Sequence, residues 1–93
     1  MKGGYGTEEI QKLIDVSSRR IKQYLPEDYE IDDISWNDTG FVLHIFNVRT
    51  IEEYQKGPVD RFLFFLSKSE TETENMERFE RKLQEFAWNW RTT

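Results

Sequence analysis

Two runs of this chain, FVLHIFNV at 41–48 and RFLFFLSK at 61–68, have the composition of strands and are apolar on both sides. In the first, Phe41, Leu43 and Ile45 share one face, while Val42, His44, Phe46 and Val48 share the other. In the second, Phe62, Phe64 and Leu66 oppose Leu63 and Phe65. An antiparallel sheet with one wet face alternates apolar and polar residues more cleanly than this. A sheet built from these runs therefore needs cover on both faces, and the chain has only 93 residues to supply it. At that length there is room for one hydrophobic core and not for two.

The rest of the chain offers helices as cover. After a glycine-rich lead at 1–6, expected to be flexible, Thr7 suits an N-cap, and Glu8 and Glu9 suit the positive end of a helix dipole. Ile10, Leu13, Ile14, Ile21, Tyr24 and Leu25 then recur on one helical face. Ser17 and Ser18 interrupt it with small side chains that permit close packing. Pro26 stops this helix. Near the other end, Thr71 or Thr73 caps a long helix with Met76, Phe79, Leu83, Phe86, Ala87 and Trp90 on its apolar face. Its outward charges fall at four-residue spacings, Glu74–Arg78, Glu77–Arg81 and Arg81–Glu85, which support an exposed helix surface. Thr50 followed by Glu53 predicts a short helix ended by Gly57 and Pro58.

Between the first helix and the paired runs lies YEIDDISW, whose alternation slips phase. Tyr29 and Ile31 take one face, and Ile34 and Trp36 the other. One inserted residue at Asp32–Asp33, a β-bulge, returns all four to the same side. NDTG then supplies a hairpin turn, with Gly40 expected at positive φ. The predicted fold is α+β: helix, three antiparallel strands and helix (αβββα), with a short helix before the third strand, in one domain over 7–91. Three arrangements cover the second sheet face. The long helices take opposite faces, or the short helix and the lead fold over it, or it is an interface.

Charge is concentrated in one place. Residues 26–40 hold six acids (Glu27, Asp28, Glu30, Asp32, Asp33 and Asp38) and no base, enough to account for the whole net charge of −5. A calcium loop read from Asp33 fails, because Asp38 occupies the glycine position and His44 the final glutamate position. No metal or cofactor site is expected. Without cysteine there is neither a disulfide nor a thiolate site. His44, the one histidine, has no nucleophile patterned beside it, and no phosphate loop or nucleophile elbow occurs. Enzymatic chemistry is therefore not expected, and His44 reads as a hydrogen-bonded core or interface residue. No apolar run reaches membrane-span length and the start lacks a signal-like apolar region, so a cytoplasmic protein is the expectation.

The order helix, three strands, helix resembles the double-stranded-RNA-binding domain. That family holds phosphates with a basic cluster at the start of its last helix. Here the matching segment, SETETENMERFERK, places Glu70, Glu72, Glu74 and Glu77 before any base. The resemblance therefore implies a topology and not RNA binding. In composition the chain is also similar to small acidic phage inhibitors and immunity proteins.

These readings converge on a small acidic domain expected to inhibit or regulate a protein partner by stoichiometric binding, one form of which has the acids imitate phosphates to mask a nucleic-acid-binding surface. Candidate contact residues are the six acids with Trp36, Trp88, Val42, Phe46, Val48, Leu63 and Phe65. Trp88 is included because it projects about 140° from Leu83, off the apolar stripe. Two alternatives stay open: a homodimer or assembly subunit using the apolar sheet face, and direct RNA or DNA binding through Lys12, Arg19, Arg20 and Lys22. The second is disfavoured by the net charge.

Overall fold

A computed structural model describes residues 6–91. The chain runs α1 (Gly6–Lys22), β1 (Tyr29–Trp36), β2 (Gly40–Asn47), α2 (Ile51–Gln55), β3 (Asp60–Phe65) and α3 (Glu72–Arg91). The strands form one antiparallel sheet in the order β1-β2-β3, so β2 is central and both β1 and β3 are edges. This is the α+β order that the sequence pattern predicts, short helix included. The lead expected at 1–6 lies outside the described residues except for Gly6, which opens α1. Thr7 accordingly sits inside the first turn and not at its cap.

Both long helices lie on the same face of the sheet. Ile10, Leu13 and Ile21 from α1 and Phe79 and Leu83 from α3 bury against Phe41, Leu43, Ile45, Phe62 and Phe64. Edge-on aromatic pairs lock α3 to β3, with ring centroids 5.2 Å apart for Phe64–Phe79 and 5.3 Å for Phe62–Phe86. Ser17 is buried where the helix closes on its neighbours, and its hydroxyl donates to Leu13 C=O at 2.7 Å. An ion pair between Arg20 and Glu80 ties α1 to α3. Tyr24 lies beyond the end of α1 in a tight turn and is exposed, contrary to its place on the helical stripe. Among the described residues, no helix is long and apolar enough to cross a membrane.

The start of α3 is fixed by more than its cap. Thr71 and Glu74 form a reciprocal capping box: Glu74 N–H donates to the Thr71 hydroxyl at 3.1 Å, and Thr71 N–H donates to the Glu74 carboxylate at 2.8 Å. One turn in, the fully buried Asn75 amide clamps the preceding loop, accepting from Ser67 N–H at 2.9 Å and donating to Ser67 C=O at 3.1 Å. Arg78 does not take the expected partner Glu74. It turns back to Glu70 at 3.0 Å and lies 4.6 Å over the Phe64 ring. Glu74 is already committed to the cap, so the intrahelical pair loses to a longer-range one. Arg81 likewise forms no ion pair with Glu77 or Glu85 among the described residues.

Candidate functional site

The side of the sheet away from α1 and α3 is only half covered, and the bulge in β1 decides which half. Register runs Glu30 opposite Phe46 and Asp32 opposite His44, then slips one residue so that Ser35 faces Val42 and Trp36 faces Phe41. This is the bulge that the phase slip predicts. Asp33 takes φ of 57°, a left-handed conformation that aspartate tolerates better than most residues. Three side chains hold it there. Asp33 N–H donates to the Asp32 carboxylate at 2.8 Å. The other Asp32 oxygen accepts from Tyr54 Oη at 2.8 Å. His44 Nδ1 lies 2.7 Å from Asp33 C=O and, since a carbonyl only accepts, that nitrogen carries the proton.

Tyr54 is how α2 docks. Thr50 accepts from Glu53 N–H at 3.0 Å to start the helix, and Gly57 at φ 95° ends it. The Tyr54 ring then lies 5.0 Å from Phe46 while its hydroxyl reaches Asp32. Phe46 is buried as a result, and α2 covers that end of the face alone. At the other end Val42 is half-buried, and Leu63 and Phe65 are 37% and 44% exposed. Phe65 lies across Gly40, whose missing side chain leaves room for the ring. Gly40 is not at positive φ as the turn chemistry suggests. The hairpin is built instead by the Asn37 side chain, which accepts from Thr39 N–H at 2.8 Å and Gly40 N–H at 3.0 Å.

The hydrogen bond between Asp32 and Tyr54 shifts both groups. It is the main reason the Asp32 carboxyl lies below the ordinary aspartate range, helped by Asp33 N–H, and it raises the Tyr54 phenol. A carboxylate lowered by folding stabilises the fold above its unfolded pKa, and that contribution fades as pH falls through the folded value. A raised phenol contributes below its unfolded pKa and loses that contribution as pH rises through the folded one. Tyr54→Phe therefore lowers the unfolding temperature most between about pH 5 and 9, with the gap to wild type closing below about pH 4 and above about pH 10. Thermal unfolding of both proteins across pH measures this, and a gap independent of pH would refute it.

The other candidate residues do not assemble with this face. Glu27 and Asp28 are exposed in the turn before β1, and Asp38 sits at the hairpin tip. Of the six acids, Glu30 and Asp32 share the open side, so the acids form a strip along one edge, roughly 25 Å of strand, and not a cage. Among the described residues no three acidic or histidine side chains converge as a metal-ligand set. Trp36 pairs with Phe41, on the helix-bearing side, and stays exposed at the sheet edge. Val48 lies just past β2 and is half-buried. Trp88 is on α3, far round the molecule, 58% exposed with the Arg91 guanidinium 5.4 Å over its ring.

The four bases of the nucleic-acid reading are partly spent: Arg19 pairs with Asp15 at 2.8 Å and Arg20 with Glu80. Sequence reasoning missed Tyr54 and the packing role of Gly40. An aromatic on a one-turn helix was the available signal for Tyr54, since so short a helix persists only when docked. No protein family, curated protein or solved structure matches this chain.

Proposed function

We propose that this protein is a non-enzymatic interaction domain that regulates or inhibits a protein partner by stoichiometric binding at the open half of its sheet. The observation that carries the reading is the continuous apolar strip of Val42, Leu63 and Phe65, left facing solvent by a helix that covers only the far end. An apolar strip of this kind on a sheet normally meets another protein. On β1 the residue beside Val42 is Ser35, while Glu30 and Asp32 lie opposite Phe46 and His44 at the end that α2 covers, so the partner surface that fits the strip is apolar.

Comparative affinity capture tests the reading. Leu63→Asp, at an exposed position, is expected to keep the fold and to lose a partner that wild type and Trp88→Ala both retain. Retention of the same partner by Leu63→Asp overturns it. Light scattering on wild type alone separates the alternative, because a dimer abolished by Leu63→Asp, with no differential partner, makes the face a self-association surface.

A further inference from the structure

The outer edge of β3 borders the same open face and shows how a partner can engage it. Pairing with β2 uses the even residues of β3: Phe62 lies opposite Leu43 and Phe64 opposite Phe41, and Leu66 N–H continues the ladder to Thr39 C=O at 2.8 Å. Alternation then turns the N–H and C=O groups of Arg61, Leu63 and Phe65 outward. The two end groups of this row are satisfied within the chain. Arg61 N–H donates to the Asp60 carboxylate at 2.8 Å, and Phe65 C=O accepts from Arg78 Nη2 at 2.7 Å. Arg61 C=O, both backbone groups of Leu63 and Phe65 N–H have no hydrogen-bond partner among the described residues.

We infer that the outer edge of β3 is a strand-addition site, taking an extended segment of a partner protein as the fourth strand of the sheet. The inference rests on the reading that this side of the sheet docks a protein, and it specifies the mode. An extended backbone supplies donors and acceptors in the alternation that Arg61, Leu63 and Phe65 present. Every second side chain of the segment would lie beside Leu63 and Phe65 on the open face, which calls for apolar residues there. The intervening side chains would face α3, where Lys82, Glu85 and Phe86 line a crevice with Arg61 and Leu63 of about 240 Å³. Polar residues with long aliphatic stems suit that wall.

The same wall decides between a segment and a second copy. α3 flanks this edge, as the reach of Arg78 to Phe65 C=O shows. Two copies joined β3 to β3 about a dyad at Leu63 would bring their α3 helices within about one strand spacing, roughly 5 Å, whereas packed helices need 8–10 Å. A bare strand fits where a whole domain does not. The opposite edge is protected otherwise, by the bulge and the acids of β1.

The test uses a short peptide alternating valine with lysine and glutamate, and hydrogen exchange of the protein's amides. Leu63 and Phe65 N–H are expected to exchange rapidly in the free protein and to slow roughly tenfold or more at saturating peptide. The same peptide N-methylated at its central valine is expected not to protect them. A second arm uses two variants with the partner captured by wild type. Leu63→Ala keeps the backbone donor and is expected to weaken capture by the lost side chain alone, while Leu63→Pro also removes the donor, at an edge that tolerates proline, and is expected to weaken capture at least tenfold further. Unchanged exchange with peptide, or equal loss in both variants, overturns strand addition. Equal loss leaves docking on the open face standing, whereas capture unaffected by Leu63→Asp removes that underlying reading.

Discussion

Asn75→Ala lowers the free energy of unfolding by about 3 kcal/mol, a large fraction of the stability of a domain this size. Asn75 has no exposed surface, and its amide substitutes for water at the loop between β3 and α3. Truncation leaves Ser67 N–H and Ser67 C=O without the bonds at 2.9 and 3.1 Å that satisfy them. It also takes from Arg78 a bond at 3.1 Å and leaves a small void beneath the loop. Stranding these part-buried groups costs about 1–3 kcal/mol, and the void left by the fully buried amide adds to that. Chemical denaturation measures the loss, expected with an unchanged slope. The loss is also local: amides of residues 67–71 are expected to exchange faster than the global unfolding rate allows. A loss under about 1 kcal/mol would mean that water replaces the amide, and the loop is then not held by Asn75.

What the sequence disclosed divides along the range of the interactions involved. The β1 bulge was legible because it is written locally, as a phase slip between Ile31 and Ile34 that only an inserted residue repairs. The cap at Thr50 was legible for the same reason, since cap and partner are three residues apart, and the α3 cap was narrowed to Thr71 or Thr73, of which the structure takes Thr71. Arg78 was misread because a nearby Glu74 matched the helical spacing while its actual partners, Glu70, Phe65 C=O and the Phe64 ring, lie across a loop. Asn75 was invisible for a related reason: a polar residue on an exposed first turn is ordinary until the loop folds over it.

The candidate site shows the same division. That the second sheet face needs cover follows from Val42, Phe46, Leu63 and Phe65 alone. Which part receives it depends on Tyr54 reaching Asp32, twenty-two positions away. The bulge links the two questions, because it presents the Asp32 carboxylate to Tyr54 and the Asp33 carbonyl to His44. His44 and Asp32 thereby serve the architecture of this side of the sheet. On this side of the sheet the open apolar residues beyond the short helix are Val42, Leu63 and Phe65.

Gly40→Ala is expected to destabilise by about 3 kcal/mol, on the order of 15 °C in unfolding temperature, although alanine suits a strand better than glycine. A Cβ built on Gly40 would stand 2.2 Å from Phe65 Cδ1 and 2.5 Å from Phe64 C=O. Rotation can move the Phe65 ring, which is partly exposed, but the carbonyl belongs to the β2–β3 ladder and moves only with the strand. The double variant Gly40→Ala with Phe65→Ala separates the two contacts. Removing the ring is expected to restore only part of the stability, because the carbonyl contact persists. Full restoration would place the whole cost on the ring. The single variant also reports on docking. To admit a methyl group, Phe65 must leave its place over Gly40, so the apolar strip changes shape without losing any residue. Partner capture by Gly40→Ala at a temperature where it remains folded is therefore expected to weaken alongside that of Leu63→Asp. Undiminished capture would confine the contact surface to Val42 and Leu63.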